Sequence, residues 1–271
     1  MTGAHVLRRF NPDFQSVTFG ADGSAQDGSL DWSVGLQGMN GVPTAAHLAL
    51  CRFAGREQLL SYSATLWQQG IKHLVVLRGD DAGTAGAEFA GFGSVAGAIA
   101  ALKRQHGFEI SISAYPEVHP KALNQKADMD CLLEKLYAGA DRAITQFFFD
   151  NEDFYRFRDQ AERAGFYREL VPGVIPFTNF EKVAGFAVRC GAKLPAHLSA
   201  RFEEAGPDRS ERTKIARDLI SEQVSDLARN GVDAIHIYTL NRVDLAADTV
   251  RAFRAEFTSL GERAPKLALV G

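Results

Sequence analysis

Polar and aromatic residues recur in this sequence just after short β-rich runs. Thr18 closes one run and His47 another. Arg78-Gly79-Asp80 follows a third, and Tyr115, Glu117 and His119 follow a fourth. Gln146 lies in a fifth, with Asp150 after it, and Tyr238, Asn241 and Arg242 end a later one. Arginine and histidine offer donors to anions, and a carboxylate can tune the charge of a bound ring. Glutamine and tyrosine recognise polar edges. Each group also has a plainer reading. His47 can be a hydrogen-bonded structural histidine, Arg78 and Asp80 can bridge one another, Asn241 can be a helix N-cap, and Phe147-Phe148-Phe149 can be core. Their shared position carries the weight, because unselected polar residues would scatter to both ends of the strands. The set indicates one polar pocket without naming its ligand.

The elements that must position these groups are legible as an alternation. Phe14–Phe19, Thr44–Leu48, Leu74–Leu77, Ile110–Ala114, Ala143–Phe149, Leu170–Ile175 and Ala234–Thr239 are short and rich in Val, Ile and Phe, mostly without polar alternation. That suits parallel strands covered on both faces. Between them, Glu57–Gln69, Glu152–Ala164, Arg209–Arg229 and Asp244–Phe257 carry apolar residues at helical spacing. Parallel strands joined by helices form either an open doubly wound sheet or a closed barrel. The glycine pattern G-x-G-x-x-G of a dinucleotide-binding sheet is missing after the first strand. A single (β/α)8 TIM-type barrel over residues 1–271 is the expectation, with chemistry at the C-terminal ends of its strands.

Bulk composition agrees with a globular protein. Of 271 residues, 46% are hydrophobic and 23% charged, enough for a full core. A net charge of -3 gives no general attraction for nucleic acid or an anionic membrane. Cys51, Cys131 and Cys190 are widely spaced and form neither a disulfide framework nor a zinc motif. A cytoplasmic location is expected, and the N-terminal residues do not read as a signal peptide.

Ser16-Val17-Thr18-Phe19-Gly20, Leu77-Arg78-Gly79-Asp80, Ala114-Tyr115-Pro116-Glu117-Val118-His119-Pro120, Ala143-Ile144-Thr145-Gln146-Phe147-Phe148-Phe149-Asp150, Pro172-Gly173-Val174-Ile175-Pro176 and Tyr238-Thr239-Leu240-Asn241-Arg242 resemble, in order, successive motifs of bacterial methylenetetrahydrofolate reductases. The resemblance runs from about Asn11 to Arg242. It implies a β/α barrel carrying FAD, reduced by NADH or NADPH, that converts methylenetetrahydrofolate to methyltetrahydrofolate. By position, Thr18, Ala21, His47, Arg78, Gly79, Asp80, Tyr115, His119, Ala122, Asp128 and Lys135 match flavin-contacting places, as do Phe92 and Gly93. Asp80 would sit near the isoalloxazine, with Arg78 and Lys135 toward the phosphates. Asp80 and Gln146 are the catalytic candidates. Gln146, Phe186 and Arg242 match places that contact folate or nicotinamide. A folate substrate is thereby implied, and a homo-oligomer stays open.

The chain also departs from that pattern. Cys131, Glu134 and Lys182 replace an amide, an arginine and a glutamine, and His47-Leu-Ala-Leu-Cys51 replaces H-L-T-C. The family's opening strand, F-E-F-F-P-P, whose glutamate protonates the folate nitrogen, has no counterpart. Two function classes follow: a reductase, or a folate- or flavin-binding homologue without turnover. Seven strands would leave a barrel one short. The C-terminal run Lys266–Val270 follows helix Asp244–Phe257 across the turn-rich link Ser259–Pro265. It is expected to fill the first-strand position by a right-handed crossover, with Ala268 where the glutamate would stand.

Overall fold

The computed structural model describes residues 3–18, 26–79, 91–261 and 264–270. The chain order is α1 (Gly3–Arg8), β1 (Phe14–Val17), α2 (Gln26–Asn40), β2 (Thr44–Ala49), α3 (Arg56–Gln68), β3 (His73–Leu77), α4 (Val95–Gln105), β4 (Glu109–Ala114), α5 (Gln125–Tyr137), β5 (Arg142–Phe147), α6 (Asn151–Arg163), β6 (Glu169–Val174), α7 (Phe180–Cys190), α8 (Ala196–Ala205), α9 (Arg209–Arg229), β7 (Ala234–Tyr238), α10 (Val243–Leu260) and β8 (Lys266–Val270). The strands form a closed barrel in the order β1 to β8, and every pairing is parallel.

β8 closes the barrel as the sequence led us to expect. It pairs with β1 through Phe14↔Ala268 and with β7 through His236↔Ala268. α10 runs three residues beyond its expected end, to Leu260, so it takes up the start of the turn-rich link. β5 and β6 each begin one residue earlier than their apolar runs, at Arg142 and Glu169, and end earlier, at Phe147 and Val174. Phe19 lies outside the described residues.

The period of two sorts each strand's side chains. Outward residues such as Leu74, Val76, Ile110 and Ile112 pack on the helices in one cluster. Ile235, Ile237, Leu267 and Leu269 do so in another, with Val224, Leu227, Val250 and Phe253. Each fully buried aliphatic side chain of this kind is worth about 1.5–3 kcal/mol. Inward residues Phe14, Ala45, Val75, Ile144, Val171, Ala234 and Ala268 fill the middle of the barrel.

Below that layer, at the strand starts, lies a charged network. The Arg142 guanidinium bonds Glu109 and reaches Glu169 at 3.1 Å, and Lys266 reaches Glu169 at 2.6 Å. His73 Nε2 lies 3.0 Å from Arg142 and 2.9 Å from the Ser111 hydroxyl. A guanidinium only donates, so this nitrogen accepts and the ring proton sits on Nδ1. This end of such a barrel serves stability, which leaves the opposite end for chemistry.

Candidate active site

The strand ends converge as the polar pattern required. β2 turns His47 inward between Ala45 and Ala49. Its Nε2 is buried without a partner among the described residues, and burial lowers its pKa to about 4. The imidazole is therefore neutral at pH 7. After β3, the Arg78 carbonyl accepts a hydrogen bond from Cys51 N at 2.9 Å. This ties the Arg78-Gly79 turn to the single 3-10 turn Leu50–Arg52. Gly79 has φ +86°, and a Cβ there would lie 2.5 Å from Cys51 Sγ and 2.9 Å from Ala49 Cβ. A glycine is required on both counts. Thr18, just beyond β1, is exposed.

The loop after β4 forms a second wall. The Tyr115 and His119 rings meet edge to face at 4.5 Å. His119 N donates to Asp128 Oδ2, and Lys121 N donates to His119 Nδ1, both at 2.9 Å. Nδ1 thus accepts, which leaves the proton on Nε2. The Ala122 amide closes the loop on His119 O at 2.8 Å. Asn124 caps α5 by accepting from Ala127 N. That start puts Asp128 and Lys135, seven residues apart, on one face of the helix. Lys135 is 9% exposed and donates to Ser113 O at 2.7 Å, and burial lowers its pKa. Burial also lowers the pKa of His119, opposed by Asp128 and reinforced by Arg78, Lys135 and Lys121. Three cations and one carboxylate therefore act on one point of the mouth.

A third group lies on β5, α7 and β7. Gln146 is half-buried, and its Oε1 accepts from Phe147 N at 3.0 Å. The Phe147 ring packs on Phe186 at 5.1 Å and faces Tyr238 at 6.1 Å. Phe147 and Phe148 are core residues, as their plainer reading held. Arg242 is held by both carboxylate oxygens of Asp244, at 3.2 and 2.9 Å, and by Thr178 Oγ1 at 2.6 Å.

Not every sequence-selected residue joins these groups. Phe92 packs against the outer core beneath the Arg56 guanidinium, 4.6 Å from its ring centroid, so its ring belongs to the helical layer. Gly93 beside it has φ +73°, and a Cβ there would meet nothing within 4 Å. Asn241 is not an N-cap. It adopts φ 59°, next to Leu240 at 45°, and Arg242 takes the cap position of α10 without a side-chain capping bond. Two successive left-handed residues turn the chain sharply and carry Arg242 back to Thr178. Ala21 and Asp80 lie outside the described residues.

The structure also adds residues that the sequence reading passed over. Among the described residues, Ser16 Oγ and both ring nitrogens of His236 are buried without partners, alongside His47 Nε2. Burial lowers the His236 pKa to about 3. The signal was present: in Ala-Ile-His-Ile-Tyr both isoleucines face the helices, so strict alternation turns His236 into the lumen. Among the described residues, no cluster of His, Cys, Asp or Glu is arranged to hold a metal ion. No described helix is long and apolar enough to cross a membrane.

Comparison with known proteins puts this architecture in context. The 5,10-methylenetetrahydrofolate reductase of Salmonella typhimurium is 38% identical over 241 residues, spanning 89% of this chain and 80% of that protein. The Escherichia coli protein of the same name is 36% identical over the same spans. A rice protein described as a probable methylenetetrahydrofolate reductase (NADH) is 29% identical across 85% of this chain and 41% of its own length. The family profile for methylenetetrahydrofolate reductase matches residues 1–253. With its motifs gathered at one end of a closed β/α barrel, the chain belongs to the methylenetetrahydrofolate reductase family, a family of oxidoreductases.

Proposed function

We propose that this chain is a flavin-dependent oxidoreductase of folate-bound one-carbon units. Hydride would pass between NADH or NADPH, FAD and the 5,10-methylene/5-methyltetrahydrofolate pair. The observation that carries this reading is the charge at the mouth. Arg78, Lys121 and Lys135 bear on His119 against Asp128, and Tyr115 lies against the His119 ring. Such a donor set suits the phosphates of a dinucleotide, where each charge-assisted hydrogen bond is worth about 1.5–3 kcal/mol. The chemistry that a flavin supplies here is two-electron hydride exchange.

The roles proposed for the chain's own residues follow from their positions and chemistry. Arg78 and His119 Nε2–H donate to the cofactor's anionic part, with Thr18, Gly79, Ala122 and Asp128 shaping that wall. Lys135 contributes its charge from beneath while bonded to Ser113 O. Asp80 and Ala21 are assigned to the flavin side by the family resemblance, and Asp80 would set the charge beside the ring. Gln146 has Oε1 committed to Phe147 N, so its NH2 remains to donate to a pterin edge. Phe186 offers its ring for stacking, and Arg242, aligned by Asp244, offers charge to the folate tail or the reductant. His47 and His236 are neutral at pH 7 and are poor proton donors. Proton delivery to folate is therefore the demanding step.

The test is the visible spectrum of the purified protein, followed by anaerobic addition of NADH and then of methylenetetrahydrofolate. A flavin spectrum bleached by NADH and restored by the folate supports the reading. A colourless protein that takes up no FAD in titration calorimetry overturns it.

A further inference from the structure

β5 does not enter the mouth in register. It pairs with β6 through Arg142↔Glu169, Ala143↔Leu170 and Ile144↔Val171, then resumes at Phe147↔Gly173. Thr145 and Gln146 thus stand opposite one residue, Pro172. A β-bulge of this kind bends the strand and re-aims a side chain. Pro172 has no N–H to give the ladder, which favours the break at this place.

A bulge leaves the regular ladder and is held by bonds from outside it. Here the holder comes from two strands away. The Tyr238 hydroxyl donates to Thr145 O at 3.0 Å, and Gly173 N donates to Thr145 Oγ1 at 2.9 Å. Tyr238 reaches β5 by crossing over Gly173. A Cβ on Gly173 would lie 2.3 Å from Thr145 O and 2.6 Å from Tyr238 Cε2. Gly173 has no positive φ to explain its identity, so the close approach of the Thr145 carbonyl and of the Tyr238 ring does. Burial pushes the Tyr238 pKa up, which keeps the phenol a donor at all working pH values.

We infer that Tyr238 is a positioning residue for the folate side of the mouth: its hydroxyl clamps the β5 bulge and so fixes the direction of Gln146. The inference rests on the reading of Gln146 as a folate contact. It assigns the phenol a task apart from the packing of its ring against Phe147 and His236.

Tyr238→Phe separates these tasks, because it keeps the ring and deletes the hydroxyl. The experiment measures methyltetrahydrofolate binding to the FAD-loaded full chain for Tyr238→Phe, Gln146→Ala and the double variant, with flavin content and melting temperature alongside. Tyr238→Phe is expected to weaken folate binding roughly five- to tenfold, the effect of one neutral hydrogen bond, with flavin content unchanged. In the Gln146→Ala background the same substitution should have no further effect, since coupled residues are not additive. Additive losses in the double variant would overturn the inference, as would a Tyr238→Phe protein that binds folate like the parent while Gln146→Ala does not. If Gln146→Ala itself leaves folate affinity intact, the assignment of Gln146 fails and this inference falls with it. A change in melting temperature without Gln146-dependent loss would mark the hydroxyl as structural only and would also overturn it.

Discussion

Ala268 on β8 is registered directly beside His236 on β7, and both side chains face the barrel lumen. His236 has no hydrogen-bond partner on either ring nitrogen among the described residues, and burial holds it neutral. The residue beside it carries no proton to give. A carboxyl group at position 268 would supply the partner. Burial would raise the pKa of that carboxyl and favour its protonated, proton-donating form near neutral pH, beside a His236 ring that stays neutral. Ala268→Glu is therefore expected to accelerate the folate half-reaction by about 10²–10⁴, the usual contribution of a positioned general acid. Reduction of the flavin by NADH needs no folate protonation and should be unchanged. Stopped-flow measurement of the two half-reactions decides it, with Ala268→Gln as the control of similar size. Equal rates for the Glu and Gln variants would refute the acid role.

Gly79 sets the second prediction. Its φ of +86° and the 2.5 Å approach of Cys51 Sγ leave no room for a methyl group. Gly79→Ala should cost about 1–3 kcal/mol through backbone strain and overpacking. Because Arg78 O is bonded to Cys51 N, the displaced turn should carry the Arg78 side chain with it and lower FAD affinity. Urea denaturation and FAD titration together check this. A variant with parental stability and flavin content would show that the turn can relax.

The barrel was legible because its strands are short apolar runs with helices between them. The placement of β8 followed from a strand count one short of closure, the first-strand position that the family resemblance left vacant, and the handedness of the crossover. The mouth was legible as a set because polar residues sit at one end of most strands. What stayed hidden depends on side-chain direction and on neighbours distant in sequence. Phe92 lies in a glycine-rich stretch with no periodicity, so nothing local tells that its ring turns to Arg56. Asn241 is a residue type that both N-caps and left-handed turns favour, and the choice is made by Arg242 reaching Thr178. The β5 bulge needed Pro172 to be read as a break in the neighbouring strand, and its clamp comes from Tyr238, 93 residues away.

Stability should fall on mild acidification. His73 and His236 are buried, and burial above all lowers each pKa to about 3. In the unfolded chain a histidine titrates near about 6.5. Below that pH the unfolded chain binds protons that the folded protein refuses. The stabilisation is complete above about 6.5 and is lost toward about 3, at roughly 1.4 kcal/mol per pH unit for each group. His47, lowered to about 4, acts in the same direction. Glu117 acts in the opposite one. Burial raises its pKa to about 7, so the folded form holds an extra proton from about pH 4.5 to 7. Three histidines outweigh one carboxyl, and the urea midpoint should drop between pH 7.5 and 5. His236→Phe should flatten that profile. A midpoint that rises on acidification would contradict the argument.

Removal of β8 should abolish the fold. The strand is bonded on both sides: Asp13 N donates to Leu267 O at 2.9 Å, Asp13 Oδ2 accepts from Leu267 N at 2.7 Å, and Val270 O accepts from Thr239 N at 3.1 Å. The Thr239 hydroxyl adds a second donor to Val270 O at 2.8 Å. Leu267 and Leu269 pack outward on α9 and α10, while Ala268 fills the lumen. Two leucines and a valine are worth about 1.5–3 kcal/mol each when buried, which approaches the whole net stability of about 5–15 kcal/mol for a typical protein. Truncation before Ala264 would also open the edges of β1 and β7, both templates for aggregation. The truncated chain should therefore fail to accumulate as a soluble species, as judged by size-exclusion chromatography and circular dichroism. Leu267→Ala with Leu269→Ala should give an intermediate loss, because the backbone ladder stays while the outward packing goes. If the truncated chain keeps the parental melting temperature, β8 is an ornament on a barrel that closes without it.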